Sequence, residues 1–256
     1  SVIEAQTLTL AVDGSSLEAS GLAPTVTDAM SVIEAQTLTL AVDGSSLEAS
    51  GGGTTQLTPG GPGDDDTADT TSKKMPALFE EDQQVVVFFD ALQYDGDAGQ
   101  TTYSGQAHLW QGDTSFEGDT LAIDDRTGNL TASGNVRTRI QLRRLNETTQ
   151  RSEVSPTRVE ADTFVYDNVA RHAVYATKVL LRSGHGDLKA DTIEIFLETD
   201  DQTLNRLEAT GNVTLGLAGR WATGEHLVYY EAEGRYEMEG APVEIIEEVE
   251  PVETAT

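Results

Sequence analysis

The chain contains no cysteine, which excludes disulfide scaffolds, thiol catalysis and cysteine-ligated zinc. Positive charge is scarce: 16 Lys and Arg stand against 44 Asp and Glu, for a net charge of −28. Residues 1–72 hold no basic side chain at all, and neither do residues 236–256. Nucleic-acid binding needs a positive surface that displaces condensed counterions, so this field excludes a nucleic-acid partner. No run approaches the roughly 18 uncharged apolar residues of a membrane-spanning helix. Helical periodicity is also missing beyond short stretches, so helices are expected to be scarce. The chain starts at Ser1 with no methionine and no basic-then-apolar leader, as expected of a processed chain or a fragment.

What is present is a repeat. Residues 1–21, SVIEAQTLTLAVDGSSLEASG, recur unchanged at 31–51. A looser version of the same unit continues down the chain: an opening such as Glu160-Ala161-Asp162-Thr163, an alternating stretch, a polar turn, and a second alternating stretch ending near a glycine. Openings at Phe89-Asp90, Gly118-Asp119, Ala190-Asp191 and Gly224-Glu225 have closings at Ser104-Gly105, Gly134-Asn135, Gly211-Asn212 and Glu239-Gly240. The unit opening at Asp162 closes on Tyr175-Ala176-Thr177, where Gly-Asn is missing. Val136, Ile140 and Leu142 alternate with Arg137, Arg139 and Arg143, and Ile193, Ile195 and Leu197 alternate with Thr192, Glu194 and Glu198. Period two over five or more residues specifies half-buried strands. Strand pairs with one apolar face each must stack against one another, as a sandwich, jelly roll or solenoid.

The expected organisation is a duplicated strand-pair segment at 1–51, a flexible acidic linker at 52–74, a repeat region at 75–247 opening at Met75-Pro76-Ala77-Leu78-Phe79, and an acidic tail at 248–256. A mobile loop is expected from Leu145 to Pro156.

The motifs Ala161-Asp162-x-x-x-Tyr166-Asp167 and Ala209-x-Gly211-Asn212-Val213, echoed at Ala132-x-Gly134-Asn135-Val136, resemble the OstA-like family of periplasmic lipopolysaccharide-transport proteins. That family includes a soluble bridge protein, an inner-membrane-anchored partner and the N-terminal domain of the outer-membrane translocon. The resemblance covers roughly 85–245 well and 1–51 weakly. It implies an all-β, antiparallel, V-shaped β-jelly roll built from repeated strand pairs, whose interior takes the acyl chains of lipid A, in the periplasm. Inward candidates for the lipid groove are Phe164, Tyr166, Val179, Leu181, Ile193, Ile195, Val213, Leu215, Leu227 and Tyr229. Closing a core is the competing role for each. Cationic candidates for the lipid headgroup are Arg137, Arg139, Arg143, Arg144, Lys178 and Arg182. Divalent cations are a second way to screen an anionic ligand from so acidic a chain. The partners implied are lipopolysaccharide and other transport jelly rolls stacked through edge strands, with a head-to-tail homo-oligomer as a variant. Those edges are expected near Val85–Phe89 and Pro242–Ile246.

No catalytic constellation stands out, and no cofactor or metal is called for. His108, His172, His185 and His226 lack metal-ligand spacing. Asp64-Asp65-Asp66 and Asp200-Asp201 lack the spaced oxygens of a calcium loop, and Gly60-Gly61-Pro62-Gly63 has no lysine for a phosphate loop. Two rival readings remain. One is a structural or adhesive β-repeat protein without a small ligand. The other is a carbohydrate-active jelly roll, which needs aromatic platforms and a carboxylate pair in one cleft, whereas Trp110 and Trp221, the only tryptophans, fall in different units.

Overall fold

The computed structural model describes residues 2–11, 15–21, 23–28, 31–58, 74–80, 82–146, 151–200, 202–217 and 219–247. Alternation becomes strand throughout. The strands are β1 (Val2–Glu4), β2 (Thr7–Leu10), β3 (Ser16–Ser20), β4 (Thr25–Thr27), β5 (Ser31–Ala41), β6 (Ser46–Leu57), β7 (Val85–Asp95), β8 (Gln100–Gln111) and β9 (Thr114–Asp124). They continue as β10 (Leu130–Asn146), β11 (Arg151–Asp167), β12 (His172–Ser183), β13 (Gly186–Leu197), β14 (Leu204–Leu217), β15 (Arg220–Tyr230), β16 (Arg235–Glu239) and β17 (Glu244–Glu247). One 3-10 turn, Glu231–Glu233, is the helical element among the described residues.

From β5 to β15 each strand pairs antiparallel with the next, giving a single meander. Both ends are broken strands. β3 and β4 lie end to end along β5, β2 and β1 extend them outward, and β16 and β17 share β15.

Every even strand from β6 to β14 carries one residue more than its neighbours at mid-length. Between β9 and β10 the register runs from Glu117↔Arg137 to Thr120↔Ser133, three steps against four. The extra residue falls in a left-handed pair, Gly134 (φ 73) and Asn135 (φ 52). Equivalent pairs are Gly51-Gly52, Gly105-Gln106, Thr177-Lys178 and Gly211-Asn212. A bulge bends its strand and sharpens the twist, and bulges aligned across a sheet fold it along one line. Gly-Asn is therefore a corner inside a strand and not the turn that closes a unit, which corrects the expectation from sequence.

The opening acidic residue belongs to the same corner. Asn135 Nδ2 donates to both Asp119 carboxylate oxygens at 3.2 and 3.0 Å, and Asn212 Nδ2 donates to Asp191 Oδ2 at 2.7 Å. A Cβ on Gly134 would sit 2.2 Å from Asp119 Oδ2, so glycine is needed for space as well as for its positive φ. Where Gly-Asn is missing, Thr177 (φ 70) and Lys178 (φ 53) hold the same backbone, and Lys178 Nζ lies 3.9 Å from Asp162 Oδ2. The repeat thus encodes a fold line, with opening and corner fifteen residues apart in the pairs 36/51, 90/105, 119/134 and 162/177.

Folding along that line makes two walls of an antiparallel β-jelly roll. The first wall holds 91–95, 100–104, 120–124, 130–133, 163–167, 172–176, 192–197, 204–210 and 226–230. The second holds 85–89, 107–111, 114–117, 136–143, 154–160, 179–183, 186–189, 213–217 and 220–224. They face one another: buried Thr138 Oγ1 of the second wall is 2.9 Å from Tyr175 OH of the first, and the rings of Phe116 and Phe164 lie 5.3 Å apart across the same gap.

Three boundaries differ from expectation. β6 runs to Leu57 and pairs with β7, so 52–57 is strand and the duplicated segment is continuous with the main sheet. Residues 59–73 of the linker and the tail 248–256 lie outside the described residues. The Leu145–Pro156 segment is largely strand, with its ends in β10 and β11; residues 147–150 lie outside the described residues. Val85–Phe89 is interior, because β7 finds partners on both sides in β6 and β8. The N-terminal edge is β1 with β2 instead.

Candidate functional site

The ten groove candidates all point between the walls and are buried. Phe164, Tyr166, Val179, Ile193, Ile195, Val213 and Leu227 are no more than 1% exposed, and Leu181, Leu215 and Tyr229 are 6–8% exposed. Only the last three border open space. They line a cavity of about 50 Å³ with Leu142, Leu188 and Leu207. The other seven fill the core.

A larger cavity was not legible from sequence. Of about 140 Å³, it lies between the walls of the N-terminal hairpins and is lined by Ile33, Leu40, Leu47, Leu57, Tyr94 and Tyr103 among others. A third, more polar space of about 240 Å³ is lined by Leu78, Gln83, Gln111, Ile140 and Gln202 among others. All three volumes fall below the roughly 300–1,000 Å³ of a typical ligand pocket.

Between the two cavities lies an aromatic block. Phe116 stacks obliquely on Phe164, and Phe164 on Tyr175. Burial pushes the Tyr175 phenol well above its ordinary value of 10.0, against the opposing bond to Thr138, so it remains a neutral hydroxyl. Tyr103 and Thr55 occupy the equivalent positions one double-repeat earlier, two residues before and four residues after a left-handed glycine. There the tyrosine is pushed up by burial in the same way, but the buried Thr55 hydroxyl has no hydrogen-bond partner of good geometry.

Residues 74–80 and 82–84, which include the expected opening of the repeat region at Met75–Phe79, form no strand. They cross the mouth between the walls as a strap. At the first wall, Lys74 N–H donates to Asp125 O at 2.7 Å, and Ala77 N–H donates to Asn168 Oδ1 at 2.7 Å. At the second wall, buried Gln111 accepts from Glu80 N–H at 2.6 Å and donates to Glu80 O and Gln83 O at 2.8 and 2.7 Å. Phe79, 4% exposed, drops from the strap onto Phe116 edge-on at 5.7 Å. A second closure is direct, since Arg143 N–H donates to Gln202 O at 2.8 Å and so joins the rims of the two walls. Sequence offered one hint of the strap: Phe79 is a lone aromatic beside Pro76 with no alternating partner.

Four of the six cationic candidates stand on the other side of the sheet. Arg137 and Arg139 alternate with the buried side chains of β10 and face outward, as do Lys178 and Arg182. Arg137 lies 4.0 Å from Glu117, and Arg182 lies 3.1 Å from Glu160. Lys178 belongs to a corner. Arg143 is half-buried at the rim, and the side chain of Arg144 lies outside the described residues. The two candidate sets are therefore not one site but the two faces of one sheet.

Among the described residues no group of three or more His, Asp or Glu could hold a metal ion, and no helix is long and apolar enough to cross a membrane.

This fold, with apolar space between two bulge-hinged walls, defines the class of β-jelly rolls. Residues 158–248, about a third of the chain, match the family described as LptA/(LptD N-terminal domain) LPS transport protein. That segment contains Ala161-Asp162, Tyr166-Asp167 and Gly211-Asn212-Val213, the motifs that carry the resemblance to the OstA-like family. Among solved structures it is similar to LptH, the LptA homologous periplasmic component of the conserved lipopolysaccharide transport device from Pseudomonas aeruginosa. That likeness has 15% identity and a TM-score of 0.40, covering 52% of this chain and 81% of the other. No curated protein matches the chain.

Proposed function

We propose that this protein is a periplasmic component of lipopolysaccharide transport that shelters lipid A acyl chains between its two walls. The observation that carries the reading is the family match at 158–248, which spans the stretch where inward apolar residues from both walls line a cavity. Burying an acyl chain there gains roughly 0.8 kcal/mol per methylene. Because these spaces are small, uptake requires the walls to part, with loss of wall-to-wall contacts such as Phe116 on Phe164 and of the strap contact of Phe79 on Phe116. Arg143 at the rim is then the cationic candidate placed to meet a headgroup whose chains lie inside. Arg137, Arg139 and Arg182 would have to reach around the wall.

The test is photo-crosslinking of labelled lipopolysaccharide. A crosslinker at Leu181 or Leu215, facing in, should label several-fold more than one at outward Lys189 on the same wall. Equal labelling on both faces would sink the groove reading and favour a structural β-repeat protein. Bridging between membranes, by edge stacking onto other transport jelly rolls or onto a second copy, fits the exposed apolar residues at both sheet ends. Val2 and Leu8 are 61% and 56% exposed at one, and Ile245 and Ile246 are 70% and 59% exposed at the other. Sedimentation that stays monomeric at high concentration, with and without lipid, would count against a homo-oligomer.

A further inference from the structure

The outer face of the second wall carries a feature that the inter-wall reading does not use. Register places Trp110, Ser115, Arg139, Arg158 and Arg182 opposite one another on β8 to β12, in one row across five strands. At about 4.8 Å per strand the row is about 19 Å long. Like charges directly opposite one another destabilise a sheet, yet three arginines stand in succession here. Among the described residues Arg139 and Arg158 have no ion-pair partner, whereas their neighbours Arg137 and Arg182 are matched with Glu117 and Glu160. The row sits on a chain of net charge −28, where scattered arginines would find acids easily.

One end of the row is aromatic. Phe88, 47% exposed, stacks on Trp110 with ring centroids 4.7 Å apart and planes at 18°, and His108 lies against the same indole at 4.9 Å. Here the face offers a flat apolar platform, and beside it a line of planar guanidiniums that bind carboxylate or phosphate bidentately.

We propose that this outer row is a binding strip for an anionic oligosaccharide, independent of the space between the walls. A sugar ring presents an apolar face to the Phe88–Trp110 platform. Successive units of an extended glycan advance by about one strand spacing, so acidic groups along it would fall on Arg139 and Arg158, and then on Arg182 in competition with Glu160. An acidic polypeptide would satisfy the arginines but leave the platform unused. The proposal does not depend on lipid uptake, because the strip and the groove candidates occupy opposite faces of the sheet.

Titration of the full chain with tetragalacturonate at low salt, followed by calorimetry and Trp fluorescence, tests it. Maltotetraose serves as the neutral control and tetra-aspartate as the acidic peptide. Saturable binding of tetragalacturonate below about 1 mM is expected, with maltotetraose at least about tenfold weaker. Arg158→Ala and Trp110→Ala should each weaken it by about tenfold, and added salt should weaken it further. Arg158→Ala removes like-charge repulsion from an exposed site, so its melting temperature should not fall and lost binding cannot be ascribed to unfolding. Three results would overturn the proposal: no saturable binding of tetragalacturonate, equal binding of maltotetraose, or equal binding of tetra-aspartate with no effect of Trp110→Ala. Crosslinking of lipopolysaccharide at Leu215 is expected to survive Arg158→Ala, which separates failure of the strip from failure of the groove.

Discussion

The N-terminal hairpins and the family-matched segment at 158–248 are built on the same corner, yet their interiors differ. In the C-terminal part the walls meet closely: Thr138 and Tyr175 are bonded at 2.9 Å and the cavity is about 50 Å³. In the N-terminal part the equivalent Thr55 hydroxyl faces Tyr103 without a hydrogen bond of good geometry, and the cavity is about 140 Å³. Charge differs too, because residues 1–72 contain no basic side chain whereas 126–235 contain 14. The lesson is a division of labour within one repeat. The backbone hinge recurs in every even strand from β6 to β14, since an even strand that lacked it would fall out of line with both neighbours. The wall contents are free to vary, since each inward side chain answers only to those it meets across the gap.

The strap sits between these regions, and removing its anchor is the strongest way to disturb both. Phe79→Ala should destabilise the protein by about 3–5 kcal/mol, as for other buried aromatics, measured by urea unfolding. It should also raise lipopolysaccharide labelling at Leu215 if the strap limits access. A loss below about 1 kcal/mol would mean that the two walls hold together without it.

Corner substitutions come next in size. Gly211→Val places a branched side chain at φ 78, with its Cβ 2.4 Å from Asp191 Oδ2, and should cost about 2–4 kcal/mol. Gly51→Val, opposed by the longer and more flexible Gln36 at 2.7 Å, should cost about 1–3 kcal/mol. Equal costs in thermal melts would show that the backbone conformation, and not the opposing side chain, sets the penalty. Smaller still is the contrast inside the walls. Thr138→Val should lose about 1 kcal/mol by orphaning the Tyr175 hydroxyl, while Thr55→Val should be neutral or gain up to about 1 kcal/mol by removing a buried hydroxyl that makes no bond of good geometry. The same sign at both positions would erase the distinction drawn between the two cavities.

How much of this is legible in the sequence follows from the range of the interaction involved. Strand alternation is local, so Val136 and Arg137 declare their faces without a structure. The pairing of Asp119 with Gly134-Asn135 is also visible as a fixed spacing, but its meaning is not. Gly-Asn serves equally in turns and in bulges, and only the registers of two flanking strands tell them apart. The opposition of Arg139, Arg158 and Arg182 needs those registers too, because the bulges shift each strand by one residue. Phe79 belongs to no period at all, and its place on Phe116 depends on contacts with the distant Gln111 and Asn168. The groove candidates were readable as inward-facing. Their packing against the opposite wall was not, since closure is a property of two walls and periodicity describes one.

The smallest effect bears most directly on the hinge. At the corner of β12 the sequence departs from Gly-Asn, and Thr177 carries φ 70 in its place. A β-branched residue in the left-handed region costs about 1–2 kcal/mol relative to glycine. Glycine, in turn, gives back about 0.4–1 kcal/mol through the greater freedom of the unfolded chain. The balance favours Thr177→Gly by about 0.5–1 kcal/mol, a rise in melting temperature of about 1–4 °C for a chain of this length. Thr177 is exposed, so no packing is lost to confuse the result. The N-terminal hairpins already have glycine at this position in Gly51, and Gly51→Thr should lower the melting temperature by a comparable or larger amount, because the new Cβ also meets Gln36. Opposite signs at these two sites would establish that one left-handed pair drives the fold line throughout the sheet. If Thr177→Gly instead lowers stability, the corner of β12 is held by the Lys178–Asp162 ion pair and the threonine side chain, and the hinge is not the same device in both regions.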